Sequence, residues 1–176
     1  MKWELRNLDQ ITREFMLKEV DLDIKQGRLY ISERLNARGK ERYSSLLIES
    51  IKFGDISTLT TALGLELFNS TYQRKKPKGG MQTVKMPKNA AQLLAEGEFN
   101  RFYMRALCER TIEQGNTTVR IYRAKCSEHP RPESEARVGE RVDAVNLLQD
   151  LRMNIGTDTA LGVPNGAGSG LSITLT

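Results

Sequence analysis

The residues of this sequence best suited to chemistry fall in two places. The first is Ser127-Glu-His-Pro-Arg-Pro-Glu-Ser-Glu135, where Glu128, His129, Glu133 and Glu135 bring three carboxylates and an imidazole within eight positions of one another. Side chains of this kind ligate divalent metals or move protons. His129 is the sole histidine, so neither a His–His pair nor a His–Asp relay exists within one chain. A nuclease of the Asp…Glu-x-Lys type needs an acid two places before its strand lysine, and Arg123-Ala124-Lys125 puts an arginine there. Prolines on both sides of the acids mark a shaped, extended turn. An exposed polar turn is therefore the preferred reading, with a small metal-dependent hydrolase around His129 as the third-ranked function.

The second place is Arg74-Lys-Lys-Pro-Lys-Gly-Gly80, followed by Lys85 and Lys88, in a stretch with no acid between Glu66 and Glu96. Arg74, Lys75, Lys76, Lys78, Lys85 and Lys88 on a Gly- and Pro-bearing segment are suited to phosphates or another acidic partner, contacted without reading a base sequence. Pro and Gly favour a mobile loop or extended arm over a helix. Tyr72 is the only aromatic beside it, too few for a base-stacking platform. A helix-turn-helix over Ile48–Gly64, turning at Gly54-Asp55, would present Thr58, Thr60 and Thr61 and no cation, which is poor chemistry for reading DNA.

Other motifs are missing. Glycines 79–80 and 166–170 match no phosphate-cradling pattern, and Ser, Cys and His are too scattered to nominate a triad. Cys108 and Cys126 make neither a disulfide framework nor a zinc site and read as reduced thiols. No catalytic residue, metal ligand or cofactor is assigned, and a non-enzymatic protein is the favoured class.

These groups must be carried by a chain of 176 residues, long enough for a hydrophobic core. The formal charge of +5 permits a polyanionic partner without requiring one. The Met1–Arg6 start lacks the apolar run of a signal peptide, and no stretch is long and apolar enough for a membrane span.

The organising element is Glu98–Gln114. Phe99, Phe102, Tyr103, Ala106, Leu107 and Arg110 recur at helical spacing, with Asn100, Arg101, Arg105 and Glu109 mostly opposite and Gly115 as the stop. Upstream, Asp9 caps a short helix over Arg13–Val20. Val20, Leu22 and Ile24 then alternate with charges up to Gln26-Gly27, and Leu29 alternates with Ile31, which predicts a β-hairpin. Helices are predicted over Glu41–Phe53 and, capped by Ser57, over Thr58–Phe68. Met81–Met86 reads as a strand, and Asn89 as the cap of a turn over Ala90–Ala95 that Gly97 separates from the organising helix. Thr117–Lys125 reads as a strand and the Ser127–Ser134 segment as extended. Ala144–Met153 reads as a helix capped by Asp143. Residues 156–176 form a Gly-rich arm ending in the alternating strand Leu171–Thr176. The fold class is α+β: amphipathic helices on a small, mainly antiparallel sheet. One domain covers residues 1–155, with the basic loop at 72–88 and the arm beyond.

The run Ala95-Glu-Gly-Glu-Phe-Asn-Arg-Phe-Tyr-Met-Arg-Ala-Leu-Cys108, with Val119-Arg-Ile-Tyr-Arg-Ala-Lys125 and Pro130-Arg-Pro-Glu-Ser-Glu135, resembles a group of small proteins from tailed-bacteriophage and prophage genomes. The likeness extends from about Lys75 to the C-terminus and lies in packing and turn residues, so no site residue carries over. It implies a virion or assembly component, located in a virion or in host cytoplasm. Such a protein would be a homo-oligomer or would dock on other virion proteins through the basic loop and the arm. Leu171, Ile173 and Leu175 on the arm are the candidate oligomer contact, by strand donation to a neighbour. Nucleic-acid binding through the lysine-rich loop is the alternative.

Overall fold

The computed structural model describes residues 3–125, 132–155 and 170–176. It is of the α+β class, and the chain divides into two compact units, Met1–Tyr30 with Gly97–Thr176, and Ile31–Glu96. The sequence pattern predicts a single domain over residues 1–155 with a separate arm.

In the first unit, α1 spans Gln10–Lys25 and is capped by Asp9, whose carboxylate accepts from the Thr12 N–H at 2.9 Å. The strand pairing expected from Val20 to Ile31 is not formed, because α1 continues through Lys25. Its buried residues are Thr12, Phe15, Met16, Glu19, Val20 and Asp23, spaced as one helical face. Two of them are acids, so the apolar pattern along this face is broken and the residual alternation mimics a strand.

The acids are buried because they meet an arginine. α4 spans Ala90–Glu113 as one helix, running through Gly97 where a break was expected. Phe99, Phe102, Tyr103, Ala106 and Leu107 are buried as expected, but so are Asn100, Arg101 and Arg105, which had been placed opposite them. Arg105 has no solvent exposure. Its guanidinium donates to Glu19 at 2.6 Å and to both oxygens of Asp23 at 2.6 and 2.9 Å. Arg152, on the helix α6 (Ala144–Met153), bridges Glu19 and Glu109. Burial alone would raise the Glu19 carboxyl, but the Arg152 hydrogen bond and the Arg105 charge outweigh it, so Glu19 lies below the usual range. Glu98, by contrast, is buried, and desolvation pushes it up to about 7, outweighing the charges of Arg101, at 3.7 Å, and Arg105.

The sheet of this unit has the order β4-β3-β5, all antiparallel, with β3 at Thr118–Arg123, β4 at Arg141–Asp143 and β5 at Leu171–Leu175. β5 pairs in register with β3, Ile173 opposite Ile121 and Leu171 opposite Arg123. The three-residue β4 was not foreseen. Pro132–Glu135 forms a short helix, α5, instead of continuing the predicted extended segment; Pro suits a first helical position. The rest of that segment lies outside the described residues, as do 156–169 of the Gly-rich arm.

The chain near its start crosses the same sheet. Trp3 bridges Lys125, and the Glu4 carbonyl accepts from the Tyr122 hydroxyl at 2.6 Å. The Asn7 side-chain oxygen accepts from the Thr174 hydroxyl at 2.7 Å and the Leu175 N–H at 3.2 Å. The Gly170 carbonyl accepts from both the Ala124 and the Lys125 N–H, at 2.8 and 3.1 Å. Gly170 has φ +67, and a Cβ there would lie 2.5 Å from the Lys125 carbonyl oxygen.

In the second unit, α2 spans Ala37–Phe53 and α3 spans Ile56–Leu63, followed by a 3-10 turn over Leu65–Leu67. Both helices begin earlier than expected. Asn36 caps α2, and Asp55 rather than Ser57 caps α3, in a capping box with Thr58. Two asparagines tie the connecting segments together. The Asn36 side chain donates to the Glu66 and Phe68 carbonyls, and that of Asn69 to the Glu33 and Leu35 carbonyls.

Two outcomes are expected. Gly170→Ala combines left-handed strain with a backbone clash and should lower unfolding stability by roughly 2–3 kcal/mol in denaturant titration. Gly27→Ala, at φ +63 with nothing within 4 Å, should cost only about 1. Between pH 4.5 and 7 folded Glu98 keeps a proton that the unfolded chain has released, so the stability this group contributes is present below pH 4.5 and is lost as pH rises to 7. The difference in stability between the parent and Glu98→Gln should therefore drift by roughly 3 kcal/mol across that window, the parent weakening with pH relative to the variant.

Candidate nucleic-acid interface

The basic segment is an ordered β-hairpin where a mobile loop or extended arm was predicted. β1 spans Thr71–Lys75 and β2 spans Met81–Lys85, paired antiparallel from Thr71 opposite Lys85 to Lys75 opposite Met81. Lys76 to Gly80 form the turn, closed by the Lys76 N–H on the Gly80 carbonyl at 2.9 Å and the Gly79 N–H on the Lys76 carbonyl at 3.1 Å. Gly79 and Gly80 have φ of +90 and +81, which side-chain-bearing residues rarely adopt, so this turn requires the Gly-Gly pair. Cross-strand bonding from the Gln73 side chain to the Thr83 hydroxyl at 2.8 Å adds to the ladder. At the base, the Met86 N–H bonds the Ser70 carbonyl.

Alternation sorts the side chains onto two faces. Tyr72, Arg74, Gln82 and Val84 share one; Thr71, Gln73, Lys75, Met81, Thr83 and Lys85 share the other, which is exposed throughout. On the first face Tyr72 and Val84 are half-buried, and the Arg34 guanidinium lies over the Tyr72 ring, 4.3 Å from its centroid. Lys76 and Lys78 occupy the turn. Arg74, Lys75, Lys76, Lys78, Lys85 and Lys88 are all exposed, and none makes an ion pair with a described acid. Four arginines of the first unit behave oppositely: Arg105, Arg110, Arg123 and Arg152 each hold a carboxylate. The hairpin thus gathers five cations, none paired with a described acid, on one small element.

Other sequence candidates have different fates. Glu128, His129 and Cys126 lie outside the described residues. Glu133 is exposed on α5, and Glu135 pairs with Arg123 at 2.6 Å. Among the described residues, no group of three His, Cys, Asp or Glu is arranged to hold a metal ion. Cys108 is fully buried, and burial pushes its thiol well up, away from the reactive thiolate. Leu171 and Ile173, candidates for an oligomer contact, are buried in this chain's own fold, while Leu175 is half-buried. Helices α2 and α3 do flank a Gly54-Asp55 turn. Two hydroxyls on α3 are spent on its own backbone, Thr60 on the Ile56 carbonyl and Thr61 on the Ser57 carbonyl. No described helix is long and apolar enough to cross a membrane.

Sequence reasoning missed Arg34 as a neighbour of the basic segment, since it lies on a distant stretch with no local pattern to flag it. No protein-family model, curated protein or solved structure matches this chain.

Because the six cations are exposed and unpaired, replacing all of them with Ser should shift the thermal midpoint by no more than a few degrees and leave the far-UV circular dichroism unchanged. The contrasting change Gly79→Val/Gly80→Val should distort the turn.

Proposed function

We propose that this protein is a non-enzymatic nucleic-acid-contacting protein that grips phosphates through the β1–β2 hairpin. The observation that carries this reading is a short ribbon presenting five exposed cations, with Lys88 exposed just beyond it, none of them paired with a described acid. Charge of this kind is costly to keep uncompensated on one small element, and phosphates relieve it with release of counterions. The sparse aromatic complement points to backbone contact over base reading. Fluorescence anisotropy with labelled DNA checks it. Binding at 50 mM salt should weaken about a thousandfold by 200 mM, and the sixfold Ser variant should lose both the affinity and the salt dependence. Salt-insensitive binding, or binding unchanged in the variant, would sink the proposal.

A second reading, a structural or assembly protein of a tailed phage or prophage, is favoured by a separate observation. A two-stranded sheet has two unpaired edges, and β1 and β2 each offer one for strand addition by a neighbour. The docking element would then be the hairpin, since β5 is taken up in its own sheet. Deleting residues 156–176 removes β5 and therefore tests folding before it tests association. The native mass at low and high salt is the better measurement: a discrete oligomer that survives high salt supports assembly, and a monomer throughout excludes self-association.

A further inference from the structure

Resting on the phosphate-contacting reading, we infer that the hairpin's partner is B-form duplex DNA, with the ribbon seated in the major groove. The distribution of cations around the ribbon carries this. Arg74 lies on one face, where Arg34 stacks on Tyr72, and Lys75 and Lys85 lie on the other. Lys76 and Lys78 surround the tip, beyond the last pair, Lys75 opposite Met81. A flat acidic surface, or one strand laid along the sheet, would engage a single face and leave the cations of the other in water. A groove puts phosphates on both sides of an inserted element at once.

The dimensions agree. Paired strands lie about 4.8 Å apart, and five residues extend about 17 Å. The major groove of B-DNA, about 12 Å wide and 8.5 Å deep, admits a two-stranded ribbon, whereas the major groove of A-form RNA is too narrow and deep for side chains to read. Single strands are bound through aromatic faces, and the one aromatic of the ribbon, Tyr72, is half-buried with one ring face occupied by Arg34. Gln73 and Thr83 at mid-ribbon bond each other, so contact is predicted to be largely independent of base sequence.

The test uses the full chain and three labelled probes of equal length: duplex DNA, duplex RNA and single-stranded DNA. Duplex DNA should bind at least tenfold more tightly than the other two. Methyl green, a major-groove ligand, should compete, and netropsin, a minor-groove ligand, should not. Arg74→Ser should lower the salt slope by about 1, and the double change Lys75→Ser/Lys85→Ser by about 2, showing that both faces meet phosphate. Equal affinity for single strands or duplex RNA, displacement by netropsin, or a loss confined to one face overturns the groove while leaving phosphate contact standing. Poly-glutamate competing as well as duplex DNA also overturns it and points to an acidic protein partner. If none of the three nucleic acids binds, the phosphate-contacting reading falls first and the groove falls with it.

Discussion

The guanidinium of Arg105 is the constraint on which the larger unit depends. An arginine removed from water is tolerable only with its charge matched and its donors used. Glu19 and Asp23 do both from α1, one helical turn apart. The helices α1 and α4 are thereby fixed in register as well as in contact, since a shift of either by one residue would strand a charge. Glu19 is shared with Arg152, which draws in α6. Around this centre lie four carboxyl groups, Glu19, Asp23, Glu98 and Glu109, and three guanidinium groups, Arg101, Arg105 and Arg152. A proton retained on Glu98 leaves equal numbers of each sign.

The same network explains what could be read from the sequence. Helix α6 was read with its bounds and its Asp143 cap, because its inward residues, Ala144, Leu147, Leu148 and Leu151, are all apolar. The end of α2 and the strand β3 were equally plain. On α1 and α4 the apolar-face rule failed, since the buried faces include Glu19, Asp23, Asn100, Arg101 and Arg105. Arg105 meets Glu19 and Asp23 more than eighty positions away, and Asn100 and Arg101 bond to Leu171 and Asn154, 71 and 53 positions on, so no local window reveals that burial is compensated. Gly97 was read as a break for the same reason: propensity alone costs about 1 kcal/mol there, and long-range packing overrides it.

At the candidate interface the legible part was the chemistry and the illegible part was the shape. Six cations without an acid are visible in the letters. That five of them stand on a ribbon depends on the pairing of Thr71–Lys75 with Met81–Lys85, in which Tyr72 and Val84 are the one apolar pair. The chain thus uses positive charge in two separate ways. Buried arginines are consumed in holding helices together, and hairpin cations take no part in that work. Changing the second set can therefore alter binding without disturbing the first.

The two units also differ in how they use chain connectivity. Ile31–Glu96 is one continuous stretch, and its elements find their partners within a few dozen residues. The other unit is split, and β3 receives β5 on one side, at residues 171–175, while Trp3 and Glu4 reach its far end. Contacts between such distant positions close large loops and form slowly. During synthesis the inserted unit has everything it needs before α4 is complete, whereas the split unit must wait for β5 to emerge. Until then the edge of β3 that β5 covers lacks its partner strand, and this waiting period is when the chain is most exposed to mispairing.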